Sequence, residues 1–285
     1  MTSGNLTIRE ALAKGRAILK NGGVDSFAVD ASALMKRLLL KDDVFLAVHR
    51  DLPLTPTQAD TYLAWLRRRA AGEPLAYITG EREFLSLPFF VEPGVLIPRP
   101  DTETLVESLL ALRPKRASIL DLCTGSGAVA VSLAYHLPDA SVFGADISQK
   151  ALAVAEKNAA RNGVADRTTF FLCDVLHNLP AIGRTFDMVA ANPPYIRSNE
   201  INSLMRDVRD YEPHLALDGG ADGLVFYRAI LRDIPSILPP GGRLAFEIGF
   251  DQGQAVSQLM QDGFYKIEIV NDLAGQNRVV TGLRR

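Results

Sequence analysis

The chain has 285 residues, 47% of them apolar, with a formal net charge of −2. That length and apolar share supply one large or two moderate packed cores, and the near-neutral balance excludes the basic field that non-specific coating of nucleic acid requires. No apolar stretch reaches the ~20 residues of a bilayer span and the N-terminus carries no signal-peptide core, so a protein with no membrane association and a cytoplasmic location are expected.

Thr7-Ile8-Arg9-Glu10 matches a capping box, and the apolar stripe through Leu12, Ile18 and Leu19 is stopped by Gly22-Gly23, which predicts a first helix. Ala31, Leu34 and Leu38 space a second, and residues 44–48 a short third. Pro56 at an N1 position, with Ala59, Tyr62, Leu63, Leu66 and Ala70, predicts a fourth. Residues 1–75 therefore read as a small helical domain. The run Arg67-Arg68-Arg69 closes the fourth helix, where cations suit the dipole, and reads as a solvated face. Segment 76–98 reads as a linker, because the aromatic stretch 83–91, broken by Ser-Leu-Pro, suits a β-hairpin.

From residue 99 to 285 strands and helices alternate, the pattern of a doubly wound α/β sheet. A helix is predicted over 102–112, with Asp101 as its cap. Ser118-Ile119-Leu120-Asp121-Leu122 reads as a buried strand running into Cys123-Thr124-Gly125-Ser126-Gly127 and then an apolar helix over 128–134. Glycine lets a backbone approach a ligand closely, and a helix N-terminus offers unpaired N–H groups. Ala130 stands where a dinucleotide fingerprint needs its third glycine, which argues against NAD. The next strand, 141–146, ends at Asp146, nineteen residues past Gly127, where a carboxylate can accept from both hydroxyls of a ribose. A third strand, 168–173, ends at Asp174, and a fourth, 186–191, runs into Asn192-Pro193-Pro194-Tyr195. These features all fall at carboxyl ends of strands, where open parallel sheets bind their ligands.

The Asn-Pro-Pro-Tyr turn carries the most chemistry. Asn192 and Pro193 each precede a proline and are pushed to extended conformations, and neither proline donates a backbone N–H. Carbonyl oxygens therefore outnumber donors around the turn. The Asn192 side-chain oxygen and the Pro193 carbonyl can take one N–H each from a planar NH2 group, with Tyr195 placed at the mouth against its flat face. By themselves the four residues are equally readable as a simple strand end.

Further along, a helix is predicted within 221–234, a strand over 243–248 that brings Glu247 to the same edge without a role, and a helix over 251–260. The last strands, 265–270 and 278–283, flank a short turn and are expected to pair antiparallel. Cys123 and Cys173 lie at strand ends without metal or redox spacing, and His49, His136, His177 and His214 are scattered. The histidines read as structural, no metal is expected, and a reducing compartment is the simpler inference.

Over nearly its whole length the chain resembles the class I S-adenosylmethionine-dependent methyltransferases, and within them the HemK-type glutamine N5-methyltransferases of peptide chain release factors. The resemblance rests on Asn192-Pro193-Pro194-Tyr195-Ile196, on Gly72-Glu73-Pro74-Leu75-Ala76-Tyr77-Ile78-Thr79-Gly80, and on Val95-Leu96-Ile97-Pro98-Arg99-Pro100-Asp101-Thr102-Glu103. Tyr211-Glu212-Pro213 and Asp272-Leu273-Ala274-Gly275-Gln276 also match. It implies a mostly parallel sheet with an antiparallel last strand, preceded by the helical domain and the hairpin linker. Cys123, Thr124, Gly125, Ser126 and Gly127 would then form the methionine-binding loop, Asp146 would bind ribose, Asp174 and Val175 would lie beside adenine, and Asn192 would also border the cofactor. Asn192, Pro193, Pro194 and Tyr195 would clamp the substrate amide, with Asn192, Pro193 and Tyr195 catalytic. Arg99 or Glu103 is read as closing over the cofactor. Cys123 departs from the glycine usual in the family, a strain if that position needs a positive φ.

The implied reaction moves a methyl group from S-adenosylmethionine to the glutamine of the Gly-Gly-Gln loop of class-1 release factors, leaving S-adenosylhomocysteine. The helical domain would recognise the protein substrate, with no direct nucleic-acid contact and a monomeric enzyme. An amino-methyltransferase of adenine or cytosine in DNA or RNA is the alternative, since an exocyclic amine is also a planar NH2, and a cofactor-binding module without catalysis is the third reading.

Overall fold

A computed structural model describes residues 6–285, so residues 1–5 of the predicted helical domain lie outside the described residues. In chain order the helices are α1 (Ile8–Asn21), α2 (Phe27–Leu39), α3 (Asp43–Val48), α4 (Pro56–Ala70), α5 (Leu75–Thr79), α6 (Glu103–Leu110), α7 (Ala128–His136), α8 (Gln149–Arg161), α9 (Arg206–Tyr211), α10 (Val225–Asp233) and α11 (Gly253–Met260). The strands are β1 (Glu81–Phe84), β2 (Leu87–Phe90), β3 (Ser118–Leu122), β4 (Ser141–Asp146), β5 (Thr168–Leu172), β6 (Met188–Ala191), β7 (Arg243–Glu247), β8 (Phe264–Asn271) and β9 (Asn277–Arg284). They form two compact units, one of the residues up to 80 with 205–211, the other of 81–204 with 212–285.

The helical unit follows its sequence signals. Thr7 and Glu10 complete the predicted capping box, with Glu10 Oε2 accepting from Thr7 N at 2.9 Å and Thr7 Oγ1 accepting from Glu10 N at 3.3 Å. Ile8, Leu34, Tyr62 and Leu66 fill the core between α1, α2 and α4, and the Tyr62 hydroxyl donates to Ala31 O at 2.9 Å. The arginine run departs from the solvated face expected of it. Arg67 and Arg68 are exposed, but Arg69 turns inward and its Nε donates at 2.7 Å to Asp30, which is only 5% exposed. A carboxylate at that depth needs a partner, since stranding a buried charge costs about 3–5 kcal/mol.

The second unit is built on a sheet of order β5-β4-β3-β6-β7-β9-β8, in which β9 runs antiparallel to both its neighbours and the remaining pairs are parallel. This is the class I methyltransferase fold with its antiparallel last strand. The central strands are apolar on both faces, as strands covered on both sides must be. Ile119, Ala190 and Ala245 meet α6 and α7, while Leu120, Val189 and Leu244 meet α10 and α11.

The hairpin β1–β2 turns through Leu85 and Ser86 at φ +46° and +61°. Positive φ at both turn residues matches the twist of two-residue hairpins, a position usually given to Asn or Gly. The hairpin belongs to the second unit and is tied there by Asn158, fully buried, whose Oδ1 accepts from Phe90 N at 2.7 Å and whose Nδ2 donates to Phe90 O at 3.0 Å and to Ser126 O at 2.8 Å.

Three readings of segment 99–103 need correction. Asp101 does not cap α6, which has no side-chain cap; it pairs at 3.1 Å with Arg278, which also holds Asp272 at 3.1 Å. Glu103 accepts from Leu85 N at 2.9 Å and so serves the hairpin rather than a ligand. Arg99 pairs with buried Glu212, whose Oε2 accepts from Ile97 N at 3.2 Å. At Arg99 and Asp101 a long-range charge partner outcompetes local capping, and at Glu103 a backbone N–H of the hairpin does.

Candidate active site

Sheet register sets the site. One residue past the aligned pairs Leu122↔Ala145, Leu122↔Ala191 and Ala191↔Phe246 stand Cys123, Asp146, Asn192 and Glu247, and the pair Asp146↔Leu172 places Cys173 and Asp174 just beyond. Outside this edge opens a cavity of about 870 Å³ counting its mouth, lined by Cys123, Gly125, Asp146, Asp174, Val175 and Asn192 among others.

Of the expected loop residues, Cys123 and Gly125 face the cavity, while Thr124, Ser126 and Gly127 do not line it. Thr124 and Ser126 are buried instead. Thr124 Oγ1 donates at 2.5 Å, and Ala130 N at 3.2 Å, to the same Oδ2 of Asp121. The α7 N-terminus, expected to offer free N–H groups to a ligand, thus spends one on a protein carboxylate. Burial pushes the Asp121 carboxyl up to about 7, against the pull of the Thr124 hydroxyl and Ala130 N–H. Gly127 sits at φ +80°, and a Cβ there would lie 2.9 Å from Ala155 Cβ, so it is needed for packing of α7 on α8. Gly125 differs: at φ +55° a Cβ would meet nothing within 4 Å and would project into open space.

Cys123 adopts φ +59°, a left-handed conformation that L side chains rarely take. Replacing it by glycine removes ~1–2 kcal/mol of strain and loosens the unfolded chain by about 0.4–1 kcal/mol. Cys123→Gly is accordingly expected to raise stability by roughly 0.5–1 kcal/mol, read from the urea midpoint at constant m-value. A lower midpoint would show that the thiol's packing outweighs the strain.

Asp146 and Asp174 both line the cavity, each partly engaged. Asp146 Oδ2 accepts from Gly125 N and Oδ1 from Ser148 N, both at 2.9 Å, and the Ile147 N–H also bears on the carboxylate. Burial raises its pKa over the lowering of those N–H bonds. At Asp174 burial also raises the carboxyl, but His177 Nδ1 at 2.8 Å and Leu176 N at 2.9 Å together hold it below the usual range. His177, read as merely structural, is therefore a partner of a cavity residue.

Asn192 is half-buried and lines the cavity with Pro194. Its Nδ2 donates to Thr102 Oγ1 at 3.2 Å, and its Oδ1 receives no hydrogen bond from the described residues. Pro193 is buried and does not line the cavity. Tyr195, expected at the mouth, does not line the cavity: its half-buried ring packs on the core beneath β6 and β7, and the hydroxyl donates to Glu247 Oε1 at 3.4 Å. Burial, then the neighbouring Glu247, raise the Tyr195 pKa.

The reason lies in how the turn is held. Gln252, 3% exposed, donates through Nε2 to Tyr195 O at 3.0 Å and accepts at Oε1 from Gly249 N at 2.9 Å. Ile196 N donates to Leu217 O at 3.0 Å and Gly219 N to Ile196 O at 2.8 Å. Val95, Leu96, Leu215 and Phe226 also line the cavity. The sequence marked none of these by type, and only the neighbourhood of Val95 and Leu96 to Ile-Pro-Arg-Pro pointed toward the site. Among the described residues no group of three or more His, Cys, Asp or Glu could hold a metal ion.

Residues 10–80 match the family model of the PrmC N-terminal domain, and residues 119–211 match that of a methyltransferase domain. Across 98% of its length the chain is 40% identical to a release factor glutamine methyltransferase of Clostridium acetobutylicum, covering 99% of that protein. It is 44% identical to the one of Moorella thermoacetica, covering 98% of this chain and 99% of that protein. With the one of Vibrio cholerae it shares 42% identity, covering 98% and 97%.

Proposed function

Because the chain belongs to the family of release factor glutamine methyltransferases, we propose that the Asn192 Oδ1 and the Pro193 carbonyl grip the substrate glutamine amide at the rim of a cavity that holds S-adenosylmethionine. The protein is an S-adenosylmethionine-dependent protein-glutamine methyltransferase that modifies release factors. The finer reading places the methyl on the side-chain nitrogen of the Gly-Gly-Gln loop of a class-1 factor. The observation that carries the residue assignment is an amide oxygen without a protein donor beside the cavity that Gly125 and Asp146 also line.

When bound, S-adenosylmethionine supplies a methyl group already activated on a sulfonium. Gly125 lines its wall of the cavity, the Asp146 carboxylate would accept from the ribose hydroxyls, and Asp174 with Val175 would border the base. An amide nitrogen is a weak nucleophile because its lone pair is delocalised into the carbonyl. Acceptors on both its N–H bonds fix it facing the methyl carbon and favour the positive charge that grows on it as the bond forms. That charge is discharged by loss of a proton to water, so no side chain acts as base. Tyr195 acts through Glu247 and the turn rather than on the flat face of the amide.

The helical unit, in this reading, contacts the release factor away from the target loop, without nucleic acid, and the enzyme works as a monomer. Its two cysteines are free thiols, which suits the reducing cytoplasm. No helix among the described residues is long and apolar enough to cross a membrane.

Labelled S-adenosylmethionine offered with a release factor, with a factor lacking the loop glutamine, and with oligonucleotides tests the function. Label is expected on the unaltered factor alone. Label on an oligonucleotide, or on the glutamine-substituted factor, would overturn it.

A further inference from the structure

Residues 91–99 and 212–213 belong to no helix or strand, and His214–Ala216 form one short helical turn, yet these two stretches supply walls of the cavity. Gly94, Val95 and Leu96 line it from the first, and Pro213, Leu215 and Ala216 from the second. The first wall leans on α8, where Val95 is fully buried against Ala151 and Val154. The second leads into Leu217, whose carbonyl accepts from Ile196 N at 3.0 Å directly after the Asn-Pro-Pro-Tyr turn. Leu215 lines the cavity while 59% exposed, so apolar surface there stands open for a ligand to cover. What joins the two walls is Glu212. It is 4% exposed, and it accepts from Ile97 N at 3.2 Å through Oε2 and from the Arg99 guanidinium through Oε1. Both donors lie just past the first wall, and the acid stands at the head of the second. Burying a carboxylate is unfavourable unless its oxygens are paired, so a side chain that only filled this space would be better apolar.

We propose that Glu212 is a positioning residue for the cofactor: its carboxylate fastens the 94–96 wall to the 213–216 wall and so holds the cavity ready for S-adenosylmethionine. This rests on the reading that the cavity holds that cofactor, and it gives a role to an ion pair that does not itself line the cavity. The two donors do different work. The Ile97 N–H is main chain, so its bond fixes the backbone just after Leu96, whereas the Arg99 bond is charge-assisted and about a third of that side chain is exposed. Without Glu212 the Arg99 guanidinium turns to water, but the N–H of buried Ile97 loses its acceptor. The walls are then no longer fixed to each other, and binding must first bring them back. Such a penalty lowers affinity in proportion to the competent fraction while leaving the fully bound state as it was.

Calorimetric titration with S-adenosylhomocysteine and steady-state methylation of a release factor test this on the full chain. Glu212→Ala is expected to weaken S-adenosylhomocysteine about tenfold and to raise KM for S-adenosylmethionine by a like factor, with kcat at saturating cofactor near wild type. Glu212→Gln keeps the shape, and its one oxygen can serve Ile97 N while its NH2 faces Arg99 and breaks the pair. Arg99→Ala breaks the same pair from a partly exposed position. Each is expected to weaken binding about threefold, and they decide the matter if Glu212→Ala does not fold. Combined, Arg99→Ala and Glu212→Gln should lose no more than either alone, because they remove one interaction. Unchanged S-adenosylhomocysteine affinity in folded Glu212→Gln and Arg99→Ala, a combined loss equal to the product of the two, or a fall in kcat with affinity intact would overturn the clamp. If wild type itself binds no S-adenosylhomocysteine, the functional reading fails instead.

Discussion

Asn192→Ala is expected to lower kcat for release-factor methylation by about 10²–10³-fold, the loss typical of removing one preorganised partner of transition-state charge. Affinity for S-adenosylmethionine should stay close to wild type, because the glycine wall and Asp146 remain. The asymmetry follows from timing: Oδ1 interacts most strongly as the amide nitrogen turns positive, whereas the cofactor is bound before that charge exists. Single-turnover rates with calorimetric titration of the cofactor separate the two. A variant that binds cofactor poorly but turns over normally once saturated would assign Asn192 to cofactor binding instead.

The second large effect comes from a residue that touches neither ligand. A Cβ built on Gly219 would lie 2.7 Å from Tyr195 Cα and 2.8 Å from Pro194 O. Both are backbone atoms of the Asn-Pro-Pro-Tyr turn, which Gln252 and the Ile196 bonds, one of them donated by Gly219 N, also hold in place. The turn must shift to admit a methyl group, and a misplacement near 1 Å costs about 100-fold in rate. Gly219→Ala should therefore lower kcat by about 100-fold, with ~1–3 kcal/mol of overpacking destabilisation. Gly263→Ala, where a Cβ meets nothing within 4 Å, should leave activity intact. If Gly219→Ala kept full activity, the turn would be more compliant than its contacts imply.

What the sequence made legible was the part written in short-range signals. Strand-end residues Cys123, Asp146, Asp174 and Asn192 could be placed because each strand is an apolar run closed by a polar residue, and parallel register then aligns those ends. The antiparallel β9 was legible from the short turn before it. Pairings far apart in sequence were not. Arg99 meets Glu212 and Arg278 meets Asp101, so residues with local capping chemistry are drawn to distant partners. Tyr195 was misplaced for the same reason: two prolines predict an exposed ring, but Gln252, 57 residues on, holds its carbonyl and Glu247 its hydroxyl. Gln252 and Asn158 have no motif of their own, and only their burial with every polar atom engaged reveals them.

The central claim is that two oxygens of the 192–193 segment accept the two hydrogens of one carboxamide. The direct measurement is a structure of the full chain with S-adenosylhomocysteine and a peptide carrying the release-factor Gly-Gly-Gln loop. The glutamine nitrogen is predicted to lie within hydrogen-bond distance of both Asn192 Oδ1 and the Pro193 carbonyl, facing the cofactor sulfur. A glutamine nitrogen bound elsewhere, or an Asn192 amide presenting Nδ2 to it, would contradict the account.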